Sequence, residues 1–261
     1  MRIRGGILSA TILGAAGSLG IWGFLRPMLR TEATVSPAGG AQSTDAPFIL
    51  VTLLALCLLV IVANLETRRM DARTIAVLGA LVGINACLRL VSGPMGSSAF
   101  FILPIVCGYV FGAELGFLLA TLSMLTSAVI TGGAGPWLPF QMFAAGWCGM
   151  ISGWLPRMSP SKAKWLLSAW GIVASFLFGA IINLWFWPFL PAVEPSQHWQ
   201  PGLALQQSAI RYAVFYFASS IWWDAGRAVA NAVLLFVLTE PLMKLLDRFQ
   251  KRFHFELGSG P

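Results

Sequence analysis

Apolar residues fall in long blocks along this chain, separated by short clusters of proline, glycine and charge. A helix crosses about 30 Å of hydrocarbon with roughly 20 such residues. Eight blocks approach that length, at about 5–25, 47–65, 74–92, 99–113, 115–131, 138–155, 164–188 and 210–239. The fourth is short and the last is long. Breakers separate them: Pro27 and Pro37-Ala38-Gly39-Gly40, Gly93-Pro94, Gly132 to Pro136, Pro156 to Pro160, and Pro188 to Pro201. The pattern predicts an all-α, polytopic membrane bundle. Residues 1–66 form a two-helix hairpin joined by a Gly/Ser/Thr-rich external linker at 26–46, residues 67–241 form a six-helix core, and residues 242–261 form a basic tail.

Basic residues set the expected orientation. With the N-terminus cytoplasmic, Arg2, Arg4, Arg68, Arg69, Arg73, Arg157, Lys162, Lys164, Lys244, Arg248, Lys251 and Arg252 share that side, twelve of the 17 basic residues. Eight spans with both termini cytoplasmic satisfy the positive-inside rule, and the cell membrane is the expected site. The first block, preceded by basic residues, could also read as a signal peptide. No small-x-small cleavage site follows it, and Arg26 and Arg30 come soon after, so an uncleaved helix is the expectation.

Composition agrees. Hydrophobic residues make up 57% of the 261 residues and charged ones 10%, with a mean hydropathy of +0.76. Soluble domains carry about 25% charged residues, so too few charges are present here to coat a water-facing surface. A soluble enzyme or a nucleic-acid-binding domain is excluded on that ground, and the net charge of +7 reads as an orientation signal. Cys57, Cys87, Cys107 and Cys148 lie inside apolar blocks at no metal-like spacing and read as small buried hydrophobes. His198 and His254 fall in a polar loop and in the tail, so no histidine is available for intramembrane hydrolysis. No phosphate-binding G-x-x-x-x-G-K-[ST] loop occurs either. Nothing calls for enzymatic activity, a cofactor or a bound metal.

Small residues recur every four positions. Ala72, Ala76 and Ala80 do so on the third block, with Gly79 and Gly83 one step round. Gly108, Gly112 and Gly116 do so across the fourth and fifth, and Gly149 and Gly153 on the sixth. Such faces let another backbone come close. Packing within the protein accounts for the glycines, whereas the alanine face suits either internal packing or a second protein. Polar residues at membrane depth are functional candidates because an unpaired charge there is costly. Arg89 lies near the outer end of the third block, Gln141 opens the sixth, Asn183 lies in the seventh, and Asp224, Arg227 and Asn231 share one face of the eighth. Asp224 and Arg227 read either as part of a ligand site or as a private ion pair. Asn85 and Glu114 read as less informative, the latter as a residue of a cytoplasmic turn.

Aromatic residues crowd the predicted outer side. They include Trp137, Phe140, Trp147, Trp185, Trp187, Tyr212, Trp222 and Trp223. An interfacial belt explains many, but the excess on one side suggests walls of an outward-facing pocket.

The run Gly133-Ala134-Gly135-Pro136-Trp137-Leu138-Pro139-Phe140-Gln141-Met142, continuing to Gly146 and Gly149, completes a recognisable set with the Ala72/Ala76/Ala80 face, Arg89, Asp224 and Asn231. Together these resemble the substrate-binding S components of energy-coupling factor (ECF) vitamin transporters, most closely the cobalamin branch, over about residues 70–250. The resemblance implies a subunit that captures a micronutrient from outside. It implies docking on a T component and two ATPases through Ala72, Ala76 and Ala80, and ATP-driven uptake. It places the ligand under the loops Arg89–Gly96 and Gly132–Gln141, with Trp137 and Trp185 stacking, Phe140 in the wall, and Gln141 and Asn183 hydrogen-bonding. Arg89 would meet a carboxylate or phosphate, and Asp224 would position Arg227 or touch the ligand. The N-terminal hairpin is extra to the family's core, and the histidine-bearing N-terminus of its cobalt and nickel branch is missing. The rival readings are a structural or scaffold membrane protein, and a self-sufficient secondary transporter, for which only Asp224 offers a coupling charge.

Overall fold

A computed structural model describes residues 7–25, 46–66, 70, 72–91, 93–189, 199–200 and 202–255, with side chains as far as residue 248. The linker at 26–45, Arg2, Arg4, Arg68, Arg69 and His198, and the side chains of Lys251, Arg252 and His254, lie outside the described residues.

The described residues form nine α-helices and no strand: α1 (Ile7–Leu25), α2 (Ala46–Glu66), α3 (Ala72–Leu90), α4 (Ile102–Phe111), α5 (Ala113–Thr131), α6 (Leu138–Ser152), α7 (Pro160–Phe186), α8 (Leu205–Ser219) and α9 (Ile221–Phe255). Short 3₁₀ turns follow α3 at Pro94–Gly96 and Ala99–Phe101, and α7 at Trp187–Phe189. The fold is all-helical, and six helices are long and apolar enough to cross a membrane: α1, α2, α3, α5, α7 and Ile221–Arg248 of α9. The chain has the character of a multi-pass membrane protein.

Two expected spans take another form. The fourth block gives a helix of 10 residues and the sixth one of 15, both short of a bilayer's thickness. Their surroundings explain this. All residues of α4 from Ile102 to Val110 are buried, and most of α5 and α6 are too. These three helices form a centre wrapped by the longer ones, so α4 and α6 do not need to match the hydrocarbon thickness. The eighth block does not form one helix over 210–239. Ser220 (φ −122°, ψ −26°) separates α8 from α9; beside it the Ser219 hydroxyl donates to the Phe215 carbonyl (2.7 Å) and lies 3.1 Å from the Ser220 hydroxyl. Helix α9 then continues through Pro241 to Phe255, past the expected start of the tail, with Met243 and Leu246 still buried.

Glycine carries the central packing. A side-chain carbon on Gly108 or Gly116 would run into the carbonyl of Gly149, and one on Gly149 would run into that of Gly116. At Gly153 it would meet the backbone of Ala113. Helices α4, α5 and α6 thus touch backbone to backbone. Gly112 (φ 117°) makes the turn from α4 to α5, and Gly132 (φ 64°) ends α5 in the left-handed region that glycine occupies without strain.

The hairpin of α1 and α2 is seated on this centre. Gly20 faces the rings of Phe143 and Trp147, and Gly23 lies against Phe140 and Ile49. At the opposite end of α1, the buried Glu114 carboxylate accepts from the Ser9 hydroxyl (2.6 Å) and from the Asn64 amide (2.8 Å), joining α1, α2 and α5. Glu114 lies in the first turn of α5, where the helix dipole favours a negative group.

Candidate functional site

Contacts define two ends of the bundle. At the Glu114 end, Tyr109 of α4 donates to the Pro156 carbonyl (3.1 Å) and accepts from the Met158 amide (2.7 Å). There Arg157 donates to the Val110 carbonyl (2.7 Å) and lies over the Tyr109 ring (4.7 Å). Arg73, Lys162, Lys164, Lys244 and Arg248 belong to the same end. The other end carries the C-termini of α3, α5 and α7 and the N-termini of α6 and α9, and every candidate ligand-binding residue lies there.

Arg89 and Gln141 meet. The guanidinium of Arg89 on α3 donates to the Ser127 hydroxyl on α5 (2.7 Å) and reaches Gln141 Oε1 on α6 at 3.4 Å. Ser127 in turn donates to the Met124 carbonyl (3.0 Å). Both acceptors of Arg89 are neutral oxygens, so no carboxylate compensates its charge here. One turn down on α3, Asn85 is fully buried and neither its oxygen nor its nitrogen has a partner; the buried Ser123 hydroxyl on α5 also has none. An unpartnered buried polar group costs roughly 1–3 kcal/mol, so such a cluster calls for a reason. Trp137 lies on the loop above, 44% exposed, its ring over Gly135, where any side chain would collide with it.

Phe140 and Trp185 form a second group. Their rings stack at 4.7 Å (24°), Phe24 of α1 meets Phe140 edge-on at 5.2 Å, and both Phe140 and Trp185 are buried. Their faces are spent on each other and on the hairpin.

Asp224 and Arg227 form a third, joined by 2.7 Å. The Tyr216 hydroxyl donates to the other Asp224 oxygen (2.6 Å), and Arg227 lies over Phe178 (5.1 Å) and reaches the Ser175 carbonyl at 3.4 Å. Asn231 donates to the Ser175 hydroxyl (2.8 Å), which donates to the Gly171 carbonyl (2.7 Å). Burial first, then the bond to Asp224, pushes the Tyr216 phenol above its ordinary range, so it stays a donor. Gly171, Ser175 and Gly179 form the face of α7 on which this network lies. Asn183, the remaining candidate, returns its amide to the Gly179 carbonyl of its own helix (2.8 Å).

No family model matches the chain, and no curated protein or solved structure does either. Function is therefore read from the site. Among the described residues no group of three His, Cys, Asp or Glu side chains could hold a metal ion.

Sequence reasoning passed over Asn85 and Glu114, and it missed Ser123, Ser127 and the Gly171/Ser175/Gly179 face. The last was readable as a spacing of four. Ser127 was not, since only the packing of α3 on α5 selects it. The small-residue faces also part company. The central glycines are filled by each other, whereas Ala72, Ala76 and Ala80 are exposed and a side chain on Gly79 or Gly83 would meet nothing. Cys87 is exposed on the same side of α3, unlike the other three cysteines.

Proposed function

We propose that this chain is the substrate-binding subunit of an ECF-type importer. It would take a vitamin-like solute, cobalamin on the resemblance, and depend on partner subunits for ATP hydrolysis, with no enzymatic activity of its own. The observation that carries this reading is the open face Ala72/Ala76/Ala80. Lipid chains fill shallow grooves poorly, and a flat small-residue face gains more from another helix laid into it than from lipid. The central glycine faces are closed internally by one another; this one is open and on this reading takes a T component. The Arg89–Ser127–Gln141 cluster at the opposite end of α3 from Ala72 supplies a place for the solute.

On this reading the basic Glu114 end is cytoplasmic, with both termini on that side of the cell membrane. The Arg89 end faces outward. Helix α3 then links the two tasks, offering the solute group at its outer end and the docking face along its length. Affinity purification of the tagged chain from its native membranes should bring down a T component and an ATPase pair. Replacing Ala76 and Ala80 with tryptophan should remove them while the chain still inserts and folds. Recovery of the chain alone, with α3 unaltered and in mild detergent, would refute the reading.

A further inference from the structure

Among the described residues, buried polar atoms without a hydrogen-bond partner occur on Asn64, Asn85, Ser123, Ser168, Asn231 and Thr239, and of these residues Asn85 alone has two. Asn231 and Asn64 each donate a hydrogen bond through the amide, whereas Asn85 has both amide atoms unpartnered. Serines and threonines of this chain commonly return their hydroxyls to their own helix, as Ser127, Ser175 and Thr126 do; the buried Ser123 does not, nor do Ser168 and Thr239, which lie on other helices away from Arg89. Asn85 and Ser123 also share a depth. Arg89 reaches Ser127, and α3 and α5 run the same way, each ending at that level. One turn earlier on the two helices, four residues before Arg89 and Ser127, lie Asn85 and Ser123. A cation with only neutral acceptors, Ser127 and Gln141 (3.4 Å), is thus one helical turn from an unpartnered amide and hydroxyl.

We infer that this seat binds a small organic carboxylate carrying a second hydrogen-bonding group about 5 Å deeper, one helical turn along the bundle. The carboxylate takes the Arg89 guanidinium in a two-pronged contact, displacing neutral oxygens that bind it less strongly. The second group pairs with Asn85 and Ser123, each of which both donates and accepts, so a hydroxyl suits them. A single guanidinium matches a single carboxylate. A phosphate dianion would leave charge uncompensated in a low-dielectric interior, which disfavours it. The inference narrows the solute of the proposed transport reading to a small carboxylate in place of a cobalamin, which carries no free carboxylate, and rests on that reading only for the face from which the solute arrives.

The test uses the full chain in lipid nanodiscs and its thermal midpoint with millimolar 4-hydroxybenzoate, benzoate, 4-hydroxybenzamide or inorganic phosphate. In 4-hydroxybenzoate the polar groups are spaced as the seat requires. It should raise the midpoint most and benzoate less, and the amide and phosphate should not raise it. Arg89→Met should abolish both carboxylate shifts. Asn85→Leu and Ser123→Ala should keep the benzoate shift and lose the added gain of the hydroxyl, and neither should lower the midpoint of the ligand-free chain, because each removes an unpartnered group. The inference is overturned if neither carboxylate shifts the midpoint, if the amide shifts it equally, or if the shift survives Arg89→Met. A lowered ligand-free midpoint in both Asn85→Leu and Ser123→Ala would overturn it as well, by assigning the pair to packing. Partner copurification is read separately, so either claim can fail while the other stands.

Discussion

The carboxylate of Asp224 occupies the space that a side chain at position 179 would need: a methyl group on Gly179 would overlap all three atoms of the carboxyl group. Helices α7 and α9 approach closely there because position 179 is glycine. The same approach lets Arg227 lie over Phe178 and reach the Ser175 carbonyl. Gly179→Ala should therefore act electrostatically as well as sterically. It pushes Asp224 away from Arg227 and Tyr216 and leaves buried polar groups apart, a loss on the scale of about 3–5 kcal/mol for a broken buried pair. Thermal unfolding of Gly179→Ala, Asp224→Ala and the double variant forms a cycle. The double variant should be less destabilised than the sum of the singles by more than about 1 kcal/mol. Strict additivity would separate the glycine from the ion pair.

The crossing of α4, α5 and α6 makes a sharper steric prediction. A methyl group on Gly149 meets the backbone of Gly116, which no rotamer change can relieve. Gly149→Ala should exceed the roughly 1–3 kcal/mol usual for overpacked cores and abolish the monodisperse peak in size-exclusion chromatography. Gly83→Ala is the matched control, since its methyl group enters open space; it should elute as the unaltered chain does.

These two glycine sets show what was legible in advance. Spacing of four marked Gly108, Gly116 and Gly149 as a packing face, because helical periodicity alone puts them in register. It marked the alanines equally well, yet could not say which face would be covered, since that depends on where α4 and α6 settle. Span boundaries were legible within a few residues wherever the apolar block ended in proline or glycine, as at Gly132 and Pro160. They were not at Ser219-Ser220, where the helix breaks inside an apolar block that carries neither signal. Arg89 and Gln141 were both candidates, and the structure joins them at 3.4 Å. The Phe140–Trp185 stack turns inward because Phe24 of the hairpin covers it, a contact between residues 116 apart that no local pattern encodes.

Glu114 fastens the hairpin to the centre. Its two oxygens each accept one bond, from Ser9 and from Asn64, both buried. Glu114→Ala removes both acceptors, at roughly 1–3 kcal/mol for each buried donor that loses its bond. Glu114→Gln keeps one accepting oxygen and turns the other position into a donor facing a donor, so about half of the loss is expected. Hydrogen exchange resolved by peptide should show the added opening in α1 and α2, with α4 and α6 unchanged. Exchange rising evenly across all helices would contradict a local latch.

Cys87 offers a direct check on the open face of α3. Cys57, Cys107 and Cys148 are buried, whereas Cys87 is exposed alongside the alanine stripe. In mild detergent a maleimide should therefore modify one thiol per chain, mapped by peptide mass to Cys87, and all four should react after denaturation. Burial decides the difference, because a thiol packed against neighbouring helices cannot reach the attack geometry without local unfolding. If the face receives a partner helix, labelling should slow in the copurified assembly and return when Ala76 and Ala80 are replaced by tryptophan. Equal labelling of free and assembled chain would place the partner elsewhere on the bundle.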